Sequence, residues 1–174
     1  AEILEEMNFE HISLSDMIRD ELKKSKKEVT RANLIQKGNE LRTNFGASIL
    51  AKKALLKIKD GENYVITSIR NPREVKLLQE RSDFLLVNVV APDNMRLKRI
   101  ISRGKTEKDP QTLSELHNKE NQERSSNPNA QQLHLVGKMA KITIRNDVPL
   151  EKLKSNVEKF TKDNLFKYQD GRPN

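Results

Sequence analysis

The chain has 174 residues, with 33 Lys or Arg against 25 Asp or Glu, a formal net charge of +8 and 34% hydrophobic residues. That length fits one domain of the usual roughly 100–150 residues. The absence of cysteine excludes disulfide scaffolds, thiolate zinc sites and cysteine nucleophiles together. The apolar residues gather into short runs, so a core is feasible, and none approaches the roughly 18–20 residues of a membrane span. A pI near 9.6 and a start unlike a signal peptide make the cytosol the expected compartment. The positive charge implies anionic partners: nucleotides, nucleic acid or an acidic protein. Aromatic residues are only 4%, and single-strand binders need aromatic platforms for bases to stack on. The field therefore suits phosphates more than bases.

Along the chain, strands alternate with helices. His11–Leu14 reads as a short strand, and Asp16–Lys24 as a helix with Ser15 placed to cap it. Thr30 precedes a second helix that carries Leu34, Gly38, Leu41 and Phe45 on one face, interrupted at Gly46. A third helix is expected over Ala47–Lys59, then a turn at Asp60–Gly61 and a strand over Tyr64–Ile69. Asn71-Pro72-Arg73-Glu74 is a helix start: Asn71 caps, Pro72 takes the first helical position and Glu74 completes a capping box. That helix should reach about Arg81. Phe84–Val90 is apolar almost throughout and reads as a strand covered on both faces.

Pro92 opens a helix to about Arg103, followed by a polar connection over Gly104–Pro110. Leu113–Arg124 and Ala130–Met139 read as helices, with a loop at Ser125–Asn129 between them. Lys141–Arg145 reads as a strand and Leu150–Asn164 as a final helix, and the tail from Phe166 to Asn174 as linker. The alternation predicts an α/β fold with a parallel β-sheet and helices on both faces, a three-layer α/β/α arrangement over residues 1–165.

Ligands of open parallel sheets sit outside the carboxyl ends of the strands. The residues after each strand therefore form a candidate group: Ser15, Asp16 and Arg19; Ser68 and Arg70; Pro92; Asn146 and Asp147. Asp16 and Arg19 stand at i and i+3 on one helical face. They can be a surface ion pair, or the guanidinium can clamp a phosphate, whose oxygens its planar fork matches. Arg70 lies at a strand exit beside a helix N-terminus, a combination that suits anions. Alternatively its stem packs over the sheet edge. Arg96, Arg99 and Arg103 are either a solvated basic face or lid arginines closing on a polyphosphate. His11, His117 and His134 share no ligand or triad spacing and are assigned no chemistry. The acidic residues offer no metal cluster.

Three stretches carry a resemblance: "HISLSDMIRDEL" (11–22), "ITSIRNPREV" (66–75) and the late "NPNAQQL" with "ITIRNDVPLEKL" (127–153). In order and spacing they resemble the nucleoside-phosphate-kinase branch of P-loop proteins. The likeness is nearer to dephospho-CoA-kinase-like and adenylate-kinase-related members than to adenylate kinase itself. It is nearest to the kinase-like domain found ahead of a zinc-dependent deoxycytidylate deaminase domain, and the terminal "GRPN" is similar to the start of the linker into such a domain.

The resemblance implies substrate-phosphate binding by Asp16, Arg19 and Arg70, lid roles for Arg99 and Arg103, and a place near the nucleotide base for Asn146 and Asp147. Two departures matter. No G-x-x-x-x-G-K-[ST] occurs among the residues, so the backbone cradle that holds phosphate in that family is missing. A sheet without its central strand would expose two apolar edges. A first strand and loop upstream of Ala1 is therefore the expectation, with Ala1–Met7 the end of the helix that follows them. The second departure is Thr67, which stands where the family has an Asp that helps hold magnesium. ATP and magnesium are implied as cofactors only together with such a loop.

These readings lead to a nucleotide-binding, kinase-like domain acting as the accessory or regulatory module of a deaminase fusion. Its partners would be a nucleotide or another phosphorylated small molecule, a fused deaminase domain or a second copy of the chain, and no membrane. An active ATP-dependent small-molecule kinase is the first alternative. A basic module that binds nucleic acid is the second.

Overall fold

The computed structural model describes residues 1–103, 109–122 and 124–169. Its elements are α1 (Glu2–Glu5), β1 (Glu10–Ser13), α2 (Leu14–Lys24), α3 (Arg31–Phe45), α4 (Ile49–Leu55), β2 (Tyr64–Thr67), α5 (Pro72–Leu78), β3 (Val87–Val90), α6 (Asp93–Ser102), α7 (Leu113–Gln122), α8 (Leu133–Met139), β4 (Ile142–Arg145) and α9 (Leu150–Gln169). The fold is mixed α/β with parallel strand pairs, as a three-layer α/β/α arrangement requires.

The strands form two parallel pairs. β1 joins β2 in the register Glu10–Tyr64 to Ser13–Thr67, and β3 joins β4 from Val87–Ile142 to Val90–Arg145. The side-chain period of 2 divides the first pair into two faces. Ile12 and Ile66 enter the main core, where Leu14, Met17, Ile18, Leu41, Leu50 and Ala54 close over them from α2, α3 and α4. His11, Ser13, Val65 and Thr67 share the opposite face, which is mostly polar.

Local chemistry fixes several boundaries as the sequence predicts. The Thr30 side chain accepts from the Asn33 N–H at the head of α3, and Gly46 ends that helix with φ of +94°. At α5 the Asn71–Glu74 capping box is complete and Pro72 holds the first turn.

Other boundaries differ, for physical reasons. Helix α2 begins at Leu14 with Ser13 as its N-cap residue, so Ser15 lies inside the first turn and does not cap. Helix α4 stops at Leu55, before Lys59. Strand β2 stops at Thr67 because Ser68 takes φ of +62°, a left-handed backbone that a strand cannot continue through. Strand β3 covers only Val87–Val90, and Val89 is 60% exposed. Coverage of both its faces is thus not what these residues have; β4 is its one ladder partner among the described residues. Helix α9 runs on to Gln169, into the stretch expected to be linker, and residues 170–174 lie outside the described set. No described helix is long and apolar enough to cross a membrane.

Candidate functional site

The carboxyl end of the β1–β2 pair carries a cluster of hydroxyls around one guanidinium. The turn from β1 directly into α2 places Ser13 and Ser15 together, and the turn out of β2 brings Ser68 from the neighbouring strand. Ser15 Oγ accepts from Arg19 Nη1 at 3.0 Å and from Ser68 Oγ at 3.3 Å, and lies 3.0 Å from Ser13 Oγ. A hydroxyl has two lone pairs and one hydrogen. With both lone pairs taken, Ser15 donates to Ser13.

Arg19 also pairs with Asp16 one helical turn earlier. Its side chain stays 42% exposed, and its Nε and Nη2 have no hydrogen-bond partner among the described residues. The guanidinium is therefore held by one edge while its other donors face outward.

Arg70 lies two residues beyond Ser68, and its backbone is fixed at both ends. Its N–H donates to Glu74 Oε2 at 2.8 Å, and its C=O accepts from the Gln132 N–H at 2.7 Å. The guanidinium donates through Nη1 to Gln131 Oε1 at 3.3 Å. The 127–132 loop stands there because Asn71, fully buried, donates to the carbonyls of Pro128 at 2.7 Å and Ala130 at 2.9 Å. The Arg19 guanidinium and the hydroxyls of Ser13, Ser15 and Ser68 gather at the head of α2. Such donors match phosphate oxygens.

A second group gathers at the carboxyl end of the β3–β4 pair. Arg99 Nη1 donates to the Asn146 carbonyl at 2.9 Å, and the Asn146 N–H donates to Val90 O at 2.7 Å. Asp147 accepts from Arg145 at 2.9 Å and 2.5 Å. The Arg145 guanidinium holds the Asp147 carboxyl below the usual carboxylate range, with a smaller contribution from Arg99.

The expected site residues thus fall into two sets, Asp16 and Arg19 with the Arg70 turn, and Arg99 with Asn146 and Asp147. Arg103 ends α6 and makes no side-chain hydrogen bond among the described residues. Arg96 pairs with Asp93 at 2.6 Å and with Glu120 of α7, which makes it a strut between α6 and α7. The connection at 104–108, the centre of the expected lid, lies outside the described residues.

Two relationships escape sequence reasoning. His11 Nε2 lies 2.7 Å from Thr67 Oγ1, with Glu5 Oε1 3.6 Å from its Nδ1. The register placing Ser13 opposite Thr67 is the only signal for this pair, and it exists only once the strands are aligned. The other is Arg42, buried against Glu74 across 32 positions. No local pattern marks either.

The donor set at the β2 exit does not fit a magnesium ion. The position holds a neutral hydroxyl already bonded to a histidine, and hard divalent cations take carboxylates and other oxygens. No group of three or more acidic or histidine side chains that could hold a metal occurs among the described residues.

No protein-family model matches the chain. Among curated proteins it is similar to the UPF0200 protein of Methanothrix thermoacetophila, 30% identical over 108 residues, which cover 62% of this chain and 59% of that protein. It is also similar to the UPF0200 protein of Sulfurisphaera tokodaii, 25% identical over 162 residues, 93% of this chain and 87% of the relative. The UPF0200 protein of Thermococcus onnurineus is 26% identical over 156 residues, 86% of this chain and 81% of the relative. The chain spans less than two thirds of the first of these and more than four fifths of the other two. These relatives are archaeal proteins of unknown function, and their names carry no kinase, nucleotide or deaminase assignment.

Proposed function

We propose that the chain binds a phosphorylated small molecule, a nucleotide in the first instance, at the carboxyl end of the β1–β2 pair. The observation that carries this reading is the hydroxyl cluster: Ser15 joins Arg19 to Ser68, two residues before Arg70. Arg19 is thereby tied to the β2 exit that carries Arg70, with its guanidinium held through Nη1. Pre-held donors lose less conformational freedom when an anion arrives.

Binding is favoured over phosphoryl transfer. Thr67 supplies no charge for a metal, and metal ions are the main neutralisers of developing charge in that reaction. Nucleic acid is disfavoured by the way the basic residues are spent. Arg81, Arg96 and Arg145 each sit against an acidic neighbour, which interrupts the continuous basic stripe that a phosphate backbone needs. The accessory role in a deaminase fusion remains part of the proposal and rests on the resemblance of the three motifs.

The test is a calorimetric titration of inorganic pyrophosphate, ATP and deoxynucleoside monophosphates into wild-type protein, Arg19→Ala and Arg70→Ala. Saturable binding weakened about tenfold or more by each substitution is expected, since a charge-assisted hydrogen bond contributes about 1.5–3 kcal/mol. Equal affinities in all three proteins would remove both arginines from the site. A steep salt dependence of binding to duplex or single strands, uncompeted by nucleotides, would favour the nucleic-acid alternative.

A further inference from the structure

The strand-exit turn that presents Arg70 is attached to a fully buried ion pair. On the reading of Arg70 as an anion-binding arm, we infer that Arg42 and Glu74 are positioning residues that fix this arm relative to Arg19. Arg42 belongs to α3 and Glu74 to the first turn of α5. Their side chains are 1% and 0% exposed.

Both oxygens of the Glu74 carboxylate are engaged. Oε1 accepts from Arg42 Nε at 2.9 Å, with Nη2 2.8 Å away in the ion pair. Oε2 accepts from the backbone N–H groups of Arg70 at 2.8 Å and Asn71 at 3.0 Å. One carboxylate thus converts the position of α3 into the position of the Arg70 backbone.

Stability alone does not call for this arrangement. Buried ion pairs are often matched or bettered by apolar side chains of the same volume. Here Arg42 Nη1 is in addition buried with no hydrogen-bond partner among the described residues, a cost that a purely structural contact would avoid. What the pair supplies is geometry.

Helix α3 packs directly on α2, the helix that carries Asp16 and Arg19. The approach is close at Gly38, where a Cβ would stand 3.0 Å from Ile18 Cδ1 and 3.3 Å from Arg42 Nη1. Helix α3 is therefore a spacer between the two arms. It rests on α2 through Gly38 and reaches the β2 exit through Arg42 and Glu74.

The experiment uses Glu74→Gln and Arg42→Lys, with inorganic pyrophosphate as the probe. Three readouts are taken: pyrophosphate affinity, unfolding midpoint, and hydrogen exchange of the Arg70 and Asn71 amides. In Glu74→Gln one amide end must turn an N–H towards either Arg42 or the backbone donors. Arg42→Lys keeps the charge and gives up the fork.

Affinity weakened about tenfold in Glu74→Gln and partly retained in Arg42→Lys is expected, with exchange at the two amides accelerated more than the change in stability accounts for. Should Glu74→Gln fail to fold, Arg42→Lys decides alone. Wild-type affinity and wild-type exchange at Arg70 in a folded variant would overturn the inference while leaving the anion-binding reading intact. Absence of pyrophosphate and nucleotide binding in wild-type protein would overturn that reading instead, whatever the exchange rates.

Discussion

His11 Nε2 lies 2.7 Å from the hydroxyl of Thr67, and this contact crosses the β1–β2 pair on the face away from the apolar core. His11 stands opposite Val65 and Thr67 opposite Ser13, so the bond is a diagonal between non-partner positions. It explains why a strand pair rich in β-branched residues carries polar groups on one side: that side binds itself together through side chains, with Glu5 of α1 behind the imidazole.

Replacing Thr67 by Val measures this contact. The hydrogen bond is partly exposed, so its loss costs about 1 kcal/mol at most, and the β-propensity of Val returns part of it. A small drop in the urea midpoint is expected with an unchanged slope. Pyrophosphate affinity should stay within about twofold of wild type, because the Thr67 hydroxyl is bonded to His11 and not to the Ser15 cluster. A larger loss of affinity would bring Thr67 into the site.

Asn71→Ala should be far more damaging. The side chain accepts from the Arg73 N–H at 2.9 Å and holds the carbonyls of Pro128 and Ala130 from a fully buried position. Loss of a cap costs about 1 kcal/mol, and the buried Ala130 carbonyl left without a donor adds about 1–3 kcal/mol. A destabilisation of about 2–4 kcal/mol follows, read as a lower urea midpoint. The 127–132 loop should become sensitive to proteolysis below the global transition. A midpoint equal to wild type would show that the loop is held some other way.

Gly38→Ala tests the close approach of α2 and α3. Within a helix, Gly to Ala ordinarily stabilises by about 0.5–1 kcal/mol. Here the added methyl meets Ile18 Cδ1 at 3.0 Å and Arg42 Nη1 at 3.3 Å. Both neighbours are buried, so neither can swing into solvent. Overpacking costs typically about 1–3 kcal/mol and should reverse the sign, giving a net loss of about 1 kcal/mol. Thermal unfolding decides: a higher midpoint in the alanine variant would show that the helices have room to part.

The sequence announces features whose partners are near in the chain and hides those whose partners are far. The α5 capping box is written within four residues, and the Thr30 cap and Gly46 terminator are equally local. The alternation of strands and helices is legible for the same reason, and it places Asp16, Arg19 and Arg70 at strand exits. Ser15 is misread as a cap because the choice between Ser13 and Ser15 depends on where β1 ends, and pairing with β2 sets that. Nothing near Arg42 in the chain marks it as a core residue; its partner Glu74 stands 32 residues on. Phe84–Val90 reads as a fully covered strand from its composition, yet the exposure of Val89 depends on which neighbours flank β3.

The junction between α6 and α7 gives a pH prediction. Asp93 accepts from Arg96 at 2.6 Å and pairs with His117 at 2.7 Å, while Glu120 closes on Arg96 from α7. The Arg96 hydrogen bond, followed by that of His117, holds the Asp93 carboxyl below its usual value of 3.8. Because the folded pKa lies below the unfolded one, the stabilisation is fully present above that usual value. It is lost as pH falls through the depressed folded value. Asp93→Asn should therefore lower the unfolding midpoint slightly at neutral pH, with the gap to wild type closing as pH falls below the usual carboxyl value of 3.8. The pairs are exposed, so about 0.15 M salt should shrink the difference at every pH. A gap that stays constant as pH falls well below 3.8 would mean that Asp93 is not held as the carboxylate by these partners.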